Sequence, residues 1–455
     1  MEALQAEIAA KRNKDLLMSY GLVPFGGNEE SDMLARYQFI QNFSKEAKQF
    51  GAQRRASETK AAEIALVNLS VHAGFADVTR LTLRMETRLA KEFAPYMQWK
   101  QVSDTNLCLS IDEEGKSQIL CQKNGKNLKS VPSRLGKDPY VLELKEAHRK
   151  LKDQHVRAKK MMEESMENGS WFTAAETGGL MENPVVKAIL KPLVFACGDF
   201  MGFIDTWPEP LEADKAQNTL KVSMTSWDGK THMLDGSEKI RIAHPLDLYR
   251  AGSWHEYQKY LFEHQIRQPF KQVFRELYVK LPEELGQKYS RMFAGNQIQP
   301  QKTVGCLKSR RWAADYEEGL QKVYYKEDIV ACIYAMTDWF TPSDAEAPTL
   351  EHVVFYNRRT GERLRIKDIP DIIYSEVMRD VDLAVSVAYA GGVDPETSHS
   401  TIEMRRAIVK CSLALFRTNN VRVDGNHALI DGKLGQYSVH LGRGVVHQIG
   451  NAMLS

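Results

Sequence analysis

The sequence predicts an α+β fold, with an amino-terminal helical lobe followed by a region of mixed β-sheet and helix. Apolar side chains up to about Phe93 recur with the period of a helix, whereas from Trp99 they alternate with the period of a strand. Further along, strand and helix patterns alternate irregularly. Four segments are therefore expected: a helical lobe at 1–98, a small β-hairpin element with a long charged helix at 99–185, an α+β core region at 186–345 and a carboxy-terminal α+β region at 346–455.

Length and composition indicate an ordinary globular protein. The 455 residues are enough for about two to three domains of roughly 100–200 residues each. The 61 Lys and Arg residues nearly balance the 59 Asp and Glu residues, which gives no electrostatic reason to expect a dedicated nucleic-acid or membrane-surface protein. No apolar run approaches about 18 residues, and the start MEALQAEIAAKRNKDLL lacks the hydrophobic region of a signal peptide. These features predict a cytoplasmic protein without a membrane segment.

The six cysteines are scattered along the chain. None forms a CxxC pair, and most lie inside apolar runs such as VACIYAM. Because zinc sites need clustered ligands and structural disulfides belong mainly to secreted domains, the pattern predicts buried thiols without a metal or disulfide role. The cysteines are Cys108, Cys121, Cys197, Cys306, Cys332 and Cys411.

The first two segments contain helices, a hairpin and a long charged helix. DMLARYQFIQNFSKEAKQF and RLTLRMETRLAKEF have helical periods and are separated by breaks that contain glycine. NLCLSID and SQILCQKNGK form a hairpin about the turn EEGK, and a short extended piece follows. Tyr140 to about Asn168 is predicted to be a long exposed helix. Acids flank its basic cluster, which favours a solvated face over a phosphate-binding one.

The third segment contains strands with helices after them. Leu190–Asp205 and the stretch KVSMTSWDGKTHMLDGSEKIRIAHPLDL are predicted to form strands and turns. Helices are predicted at about Ser253–Phe262 and at Pro269–Val279. The region VYYKEDIVACIYAMTDWF is consistent with two strands, a strand and a helix, or one helix, and its β-branched and aromatic content favours strands at its start.

In the fourth segment, HVVFYNRRTGERLRIKDIP predicts a hairpin with its turn at RTGE. IIYSEVMRDVDLAVSVAYAGG predicts a short helix that runs into an apolar strand. The next helix is predicted to begin with a capping box formed by Ser400 and Glu403. Gly-punctuated short strands are expected in the last forty residues or so.

Walker, HExxH, GxSxG, EF-hand and dinucleotide motifs are missing from the sequence, which favours no standard catalytic mechanism and specifies no cofactor. Polar clusters are the remaining candidates, and the first is His244-Pro245-Leu246-Asp247. In a structural interpretation Pro245 ends a strand and Asp247 caps the next helix. In a functional one, His244 is a general base or a ligand at a strand end.

The second cluster is the stretch around Glu376, Arg379 and Asp380. A helix would bring these residues onto one face, and with Asp382 they offer three carboxylates within seven residues. The cluster is therefore either a site for a divalent cation or an arginine–carboxylate network, and the network is favoured. The third cluster, Tyr437–Gly444, contains His440 and is either an ordinary turn or an anion cradle of backbone amides.

A fourth group of polar residues flanks the apolar stripe of the predicted helix at Pro269–Val279. Gln272, Arg275 and Glu276 stand so close to this stripe that some must touch the core. A buried polar group without a partner costs about 1–3 kcal/mol, so these side chains are expected to tie the segment to neighbouring elements. Alternatively, they line a site.

Several separated blocks of the sequence form a recognisable pattern. The blocks are KQFGAQRR, GKNLKSVPSRL, RIAHPLDL, Trp254 with HEYQKYLFEHQIRQPFKQVFRE, LKSRRW, PDIIYSEVMRDVDLAVSVA, DPETSHSTIEMRR and YSVHLGRG. Together they resemble the large bacterial MolR-type family called domain of unknown function 4132. The resemblance implies a role in regulating molybdate metabolism and protein partners such as MoxR-type ATPases and von Willebrand A proteins. Relatives usually continue beyond the segment VHLGRG, so the chain is expected to be shortened at its carboxy end, and also at its amino end. The family supplies no catalytic residues to transfer.

Three functional hypotheses follow. The leading one is a cytoplasmic regulatory or protein-interaction module, because catalytic signatures are missing. The second is an enzyme or a small-ligand site, which requires distant residues to converge in one pocket. Those residues are His244, Arg275, Glu276, Glu376, Arg379, Asp380 and His440. The third is nucleic-acid binding through the basic helix at Arg149–Lys160, and the charge balance makes it the weakest hypothesis.

Overall fold

The computed structural model divides the chain into two compact units, each made of two stretches of sequence. The first contains residues 1–162 and 175–191, and the second contains residues 163–174 and 192–455. In the ranges that the structure describes, no helix is both long and apolar enough to cross a membrane. The finer division into four segments stays a prediction. The described residues are 2–206, 222–315, 319–337, 339–340, 348–388, 399–415, 418–442, 446–448 and 453–454.

Five helices and a small sheet begin the first unit, which confirms the predicted helical lobe. Asn13, Asn28 and Asp77 each cap a helix by accepting a hydrogen bond from a backbone amide of its first turn. Tyr20 and Ile40 lie in the buried core that the helices share. The helices are α1 (Glu2–Lys11), α2 (Lys14–Tyr20), α3 (Glu29–Glu46), α4 (Ala52–His72) and α5 (Val78–Glu92).

The sheet of the first unit is a four-stranded antiparallel meander, and it contains the predicted hairpin. Asp112 closes the hairpin turn because its side chain accepts hydrogen bonds from the amides of Glu114 and Lys116. The strands are β1 (Lys100–Val102), β2 (Thr105–Ile111), β3 (Ser117–Lys123) and β4 (Lys126–Leu128).

A long helix, α6 (Pro139–Glu167), follows the meander and confirms the predicted long helix. Its buried residues recur every three or four positions, as Val141, Leu144, Ala147 and Leu151 show, so one stripe packs inward while charged side chains face outward. The amino-terminal part of α6 belongs to the first unit and its last turn to the second. Two short helices follow, α7 (Ala174–Leu180) and α8 (Pro184–Leu190).

The second unit begins with a six-stranded antiparallel sheet in the order β5-β10-β6-β7-β8-β9. Gly198, at the turn between β6 and β7, has a φ of 53°, which suits glycine. The strands predicted around this Gly-Asp turn are therefore confirmed. The sheet consists of β5 (Phe172–Thr173), β6 (Val194–Cys197), β7 (Phe200–Thr206), β8 (Val222–Thr225), β9 (Thr231–Leu234) and β10 (Lys239–Ile242), and α9 (Pro245–Arg250) and α10 (Trp254–Glu263) follow it.

A second antiparallel sheet has the order β11-β15-β14-β13-β12. The ambiguous region VYYKEDIVACIYAM is resolved as two strands, as its β-branched content favoured. The hairpin predicted at RTGE is confirmed only in its first strand, since the second arm is reduced to a single bridge between Tyr356 and Arg363. The elements are β11 (Tyr289–Ser290), α11 (Pro300–Lys308), β12 (Ala313–Asp315), β13 (Gly319–Tyr324), β14 (Ile329–Ala335) and β15 (Leu350–Asn357).

The predicted change from helix to strand after residue 380 is wrong. One helix, α12 (Asp371–Ala388), continues through DLAVSVA. Tyr374, Val377, Val381 and Ala384 are buried at helical spacing in the core beneath the second sheet. The helical period of this stripe outweighs the strand preference of the valines, because β-branched residues lower helix propensity by only tenths of a kcal/mol, roughly.

The predicted helix at Pro269–Val279 is also wrong, and the segment is irregular. Its backbone groups bond to side chains instead of to a helical ladder. The amide of Val273 donates to the Gln268 side chain at 3.0 Å, and the carbonyl of Val273 accepts from Trp254 Nε1 at 2.7 Å. Because distant side chains satisfy the backbone, the segment gives up helical hydrogen bonds at little cost. Helix α10 confirms the other helix predicted in this region.

The carboxy-terminal part contains one helix and a five-stranded antiparallel sheet, as predicted. Helix α13 (His399–Leu415) begins at His399, so Ser400 lies within its first turn and not at the predicted cap. The predicted break at Gly391-Gly392 lies outside the described residues. The strands are β16 (Val421–Asp424), β17 (His427–Gly432), β18 (Gly435–His440), β19 (Val446–Gln448) and β20 (Met453–Leu454).

Candidate functional site

The candidate residues meet in part at a buried carboxylate on α12. Glu376 is almost completely buried, and its carboxylate accepts from Arg275 Nε and Nη2, each at 2.7 Å. It also accepts from His244 Nε2 at 3.0 Å. These contacts bring together residues from three distant parts of the chain. A bidentate arginine–carboxylate pair is among the stronger polar contacts in proteins, so it fixes all three elements.

The hydrogen bond of the second ring nitrogen of His244 determines which tautomer of the ring is present. His244 Nδ1 accepts from the amide of Leu246 at 3.1 Å, which makes His244 the cap of α9. Asp247 completes the capping box by accepting from the amide of His244 at 2.8 Å. Because Nδ1 is an acceptor, Nε2 carries the proton that is donated to Glu376. Pro245 begins the helix after the strand end, but the predicted cap is wrong, since His244 occupies the cap position and Asp247 is the third residue of the helix.

One turn further along α12, Asp380 is fully buried among basic groups. It accepts from Arg310 Nε, from Trp312 Nε1 at 2.8 Å and from Lys322 Nζ at 2.9 Å. The spacing of four residues places Asp380 and Glu376 on the same face of the helix, as predicted. The sequence favours an arginine–carboxylate network here, and such a network is present, but its arginines, Arg275 and Arg310, come from other parts of the chain and not from α12.

Two further carboxylates at the end of α6 complete the cluster. Arg275 donates from Nη1 to Glu163 at 2.9 Å and from Nη2 to Glu167. Arg310 Nη2 lies 3.5 Å from Glu167 Oε1 and so connects the two halves. We call this arrangement the buried ion cluster, and its members are Glu163, Glu167, His244, Arg275, Arg310, Lys322, Glu376 and Asp380.

Two carboxylates of the cluster, those of Glu376 and Glu167, differ in their affinity for a proton. Burial raises the pKa of Glu376, but the charge of Arg275 and the hydrogen bonds from His244 and Arg275 outweigh burial and hold that pKa well below its usual value. Burial and the nearby charge of Glu376 raise the pKa of Glu167 to about 7. Near neutral pH, Glu167 therefore exchanges a proton readily, whereas Glu376 stays charged.

A cleft of about 360 Å³ opens beside Glu167. Tyr324 lines the same cleft, and its hydroxyl is buried with no hydrogen-bond partner among the described residues. Burial raises the pKa of Tyr324 well above its usual value, and the charges of Asp380 and Glu376 add to the effect, so this hydroxyl stays protonated. The full lining is Glu167, Asn168, Gly169, Trp171, Arg241, Leu246, Arg250, Tyr324, Glu327, Pro370, Asp371, Ile372 and Ile373.

The charged groups on the cleft wall are themselves paired. Arg241 donates to both oxygens of Asp247, at 2.6 and 2.7 Å, and its guanidinium lies 5.0 Å from the centre of the Trp171 ring. Arg250 forms an ion pair with Asp371. The charges of these two arginines are therefore balanced by carboxylates.

Two candidate residues form a separate pair. Arg379 Nε donates to Glu276 at 3.1 Å, and Lys271 bonds the same carboxylate. Burial raises the pKa of Glu276, but the hydrogen bond from Lys271, a backbone hydrogen bond and the charges of Arg379 and Lys271 together outweigh burial and leave that pKa below its usual value. Arg379 is therefore not the partner of Glu376 and Asp380 that the sequence predicts, because it pairs with Glu276.

His440 is not brought into the cluster. Its Nδ1 accepts from the amide of Gly442 at 3.2 Å, and its ring lies 4.8 Å from that of His427 across two paired strands. The carbonyls of Leu441 and Gly442 accept from Arg405. The remainder of the glycine-rich stretch, 443–445, lies outside the described residues. A pocket that unites all seven candidates is therefore not formed.

The sequence signals for the remaining cluster members were weak. Glu163 and Glu167 lie four apart on α6, but so do many charged pairs on that helix. Arg310 and Lys322 lie in different elements, and no local pattern marks either as buried. The expectation that Gln272 ties elements together is confirmed, since its side chain bonds both backbone groups of Val194, at 2.9 and 2.7 Å.

The fold and the site define an α+β protein with a buried ion cluster beside a cleft, and three stretches of it match known families. Residues 1–85 match the "Family of unknown function (DUF5724)", residues 125–312 the "Domain of unknown function (DUF4132)" and residues 402–455 the "Domain of unknown function (DUF7737)". The resemblance to domain 4132 is thus confirmed over 125–312. No curated protein and no solved structure matches the chain.

Proposed function

We propose that the second unit is a regulatory ligand-binding module whose cleft takes a small polar molecule. The observation that carries the proposal is the meeting, at the cleft, of a carboxyl group that titrates near neutral pH and a buried hydroxyl without a described partner. These groups belong to Glu167 and Tyr324. An unpaired buried polar group costs about 1–3 kcal/mol, and a ligand that bonds the hydroxyl removes this cost.

The charges around the cleft narrow the class of ligand. Arg241 and Arg250 are opposed by Asp247 and Asp371. A molecule of low net charge, with hydrogen-bonding groups for Glu167 and Tyr324, fits this wall better than a highly charged one. Trp171 adds an aromatic surface.

Catalysis by Glu167 is the second candidate function. A carboxyl group with a pKa of about 7 is suited to general acid–base catalysis near neutral pH. The buried ion cluster would then hold Glu167 in place and set its pKa. We rank this function second because the other acidic and basic members of the cluster are engaged in ion pairs or hydrogen bonds with one another.

Protein partners and a cytoplasmic location complete the proposal. Both rest on the family resemblance and the composition, which suggest assembly with MoxR-type ATPases or von Willebrand A proteins. The process that we propose the protein regulates is molybdate metabolism, as the family resemblance implies. Co-purification of the full chain with either class of partner, with and without a ligand found as described below, tests this part.

The ligand proposal is tested by thermal-shift measurements of the full chain against small polar molecules, nucleotides, NAD, phosphate and molybdate. A molecule that binds the folded state raises the melting temperature. We expect selective stabilisation by a compound of low net charge. The Tyr324→Phe variant should lose this stabilisation, because the substitution removes only the buried hydroxyl without a described partner from a residue that lines the cleft.

Tyr325→Phe is the matched control, because Tyr325 is the next residue and is 71% exposed. Its stabilisation by the compound should equal that of the wild type. Without ligand, Tyr324→Phe should be as stable as the wild type or more stable, since the lost hydroxyl had no described partner. Equal ligand responses in Tyr324→Phe and Tyr325→Phe would contradict the proposed cleft. Turnover of the compound that is abolished by Glu167→Gln would instead establish the catalytic function.

A further inference from the structure

A second group of polar side chains lies in the six-stranded sheet of the second unit and takes no part in the cleft. Cys197 ends β6, His232 lies on β9, and Glu238 immediately precedes β10. One ligand atom from each of these residues lies within 4.8 Å of the other two. All three residues are partly buried, so the group is neither sealed in the core nor fully solvated.

The position of this group in the sheet is unusual. Strands β9 and β10 are consecutive in the chain and are joined by only four residues, yet three strands lie between them in the order β10-β6-β7-β8-β9. Four strand spacings measure about 19 Å in a flat sheet. A four-residue connection spans at most about 17 Å, so the sheet curves and brings β9 towards β10. No ladder among the described residues joins β9 to β10, and the three side chains meet at this seam.

The ligand atoms are available. Within the part of the chain that the structure describes, Cys197 Sγ and the ring nitrogens of His232 have no hydrogen-bond partner. Glu238 Oε2 accepts from the amide of Asp235 at 2.6 Å, which orients the carboxylate and leaves its other oxygen. The Phe200 ring lies 5.0 Å from the His232 ring and supports it from the strand that pairs with β6.

We propose that Cys197, His232 and Glu238 form a zinc-binding site that closes the seam between β9 and β10. Thiolate, imidazole and carboxylate are the three side-chain ligands that zinc uses, with bonds of about 2.0–2.3 Å. Tetrahedral bonds of these lengths place ligand atoms about 3.3–3.8 Å apart, so the observed group needs only a small contraction. The fourth position then belongs to water or to an exogenous ligand.

The chemistry of the three ligands distinguishes zinc from harder cations. Mg²⁺ and Ca²⁺ require oxygen ligands, and a sulfur–nitrogen–oxygen set offers only one. The prediction that the cysteines have no metal role rests on the absence of short ligand spacings such as a CxxC pair. The three ligands here lie on or beside three different strands, so no short spacing in the sequence marks them. The inference is independent of the ligand proposed for the cleft.

The test is metal analysis of the full chain after removal of metal with a chelator and dialysis against Zn²⁺ alone. The wild type should retain one zinc ion per chain. Cys197→Ser and His232→Gln should each weaken zinc binding by about a hundredfold or more, since each removes one of three protein ligands. Cys306→Ser is the matched control, because Cys306 is also partly buried but its thiol donates to the Thr303 carbonyl, away from this group.

Substitution with Co²⁺ alone gives a second readout. The wild type should show the thiolate-to-cobalt charge-transfer band, and Cys197→Ser should lack it while Cys306→Ser retains it. If Cys197→Ser fails to fold by circular dichroism, His232→Gln decides the stoichiometry. Retention of one zinc ion in both ligand variants, a cobalt complex without the thiolate band, or a wild type that binds no zinc would each overturn the proposal.

Discussion

Glu167 lies where the buried ion cluster meets the cleft, and the balance of charge in the cluster explains its proton affinity. Four carboxylates, those of Glu163, Glu167, Glu376 and Asp380, face the basic side chains of Arg275, Arg310 and Lys322. Glu376 and Asp380 each receive hydrogen bonds from several cationic or neutral donors. Glu167 is the carboxylate that burial and the charge of Glu376 penalise, so it takes up a proton first.

Replacing Glu167 with Gln should remove a pH-dependent part of the stability. The pKa of Glu167 is about 7 in the folded state, against about 4.3 for an unperturbed glutamate. The folded state therefore binds the proton more tightly. Protonated Glu167 stabilises the folded state fully at a pH below the pKa of the unfolded state. This stabilisation is lost as the pH rises through about 7, by on the order of 1–3 kcal/mol. Urea unfolding at about pH 5.5, 7 and 8.5 should show this loss in the wild type and not in Glu167→Gln.

Glu164→Gln is the control for this experiment. Glu164 lies on the same helix and forms an ion pair at 2.8 Å with Arg311, which is largely exposed. Its variant should keep the pH profile of the wild type. A Glu167→Gln profile that falls with pH as steeply as the wild-type profile would show that another group is responsible.

A second prediction at the residue scale concerns Glu376. Glu376→Gln leaves the Arg275 guanidinium buried without its bidentate partner, and breaking a buried ion pair from one side costs about 3–5 kcal/mol. Glu276→Gln is the comparison, because one partner of Glu276, Lys271, is 59% exposed and that variant should lose only about 1 kcal/mol. Denaturant unfolding of both variants measures the difference. Equal losses would mean that the cluster contributes no more than a surface pair.

At the scale of elements, local periodicity predicted most helices and strands but not the two places where distant contacts decide the backbone. Helix α12 continues through its valines because its apolar stripe packs against the core from Ile373 to Ala384. Residues 266–280 show the opposite case. Phe270, Val273 and Leu277 are buried as a helical stripe would be. The side chain of Gln272, however, bonds the carbonyl of Val194 on β6 and that of Ala243 next to β10.

Gln272 should therefore be essential for the irregular segment. Its side chain forms three hydrogen bonds with backbone groups, namely the amide and carbonyl of Val194 and the carbonyl of Ala243 at 2.9 Å, and it also accepts from the side chain of Gln268 at 2.7 Å. Gln272→Met keeps the size of the side chain but leaves buried backbone groups unpaired, at about 1–3 kcal/mol for each group. We expect a loss of at least about 2 kcal/mol in urea unfolding, whereas Gln287→Met, at an exposed position, should be nearly neutral. A Gln272→Met variant as stable as the wild type would show that the segment is held by its apolar contacts alone.

At the scale of the whole molecule, the sequence predicted the fold class and the order of most elements, but only part of the candidate site. His244, Arg275, Glu376 and Asp380 were anticipated because polar residues interrupted apolar patterns. Glu167, Arg310 and Lys322 were not, because their burial arises only when remote segments pack. The first unit repeats the lesson, since the buried Glu86 accepts from Tyr37 at 2.7 Å and from Arg157 at 2.6 Å across large sequence separations. Ion pairs of this kind depend on the tertiary arrangement, which local spacing does not encode.

Pairing of charges within the chain also bears on nucleic-acid binding through the basic part of α6. Arg149 pairs with Glu146, Arg157 with the buried Glu86, and the acid Asp153 with Lys45 at 2.8 Å. Binding a phosphate backbone would have to compete with these pairs, on a chain whose formal net charge is only +2. We expect fluorescence anisotropy with labelled duplex DNA and single-stranded RNA to show no binding at physiological salt. Binding whose affinity falls steeply as salt rises, and which Arg149→Gln weakens, would contradict this expectation and assign the helix to a nucleic-acid interface.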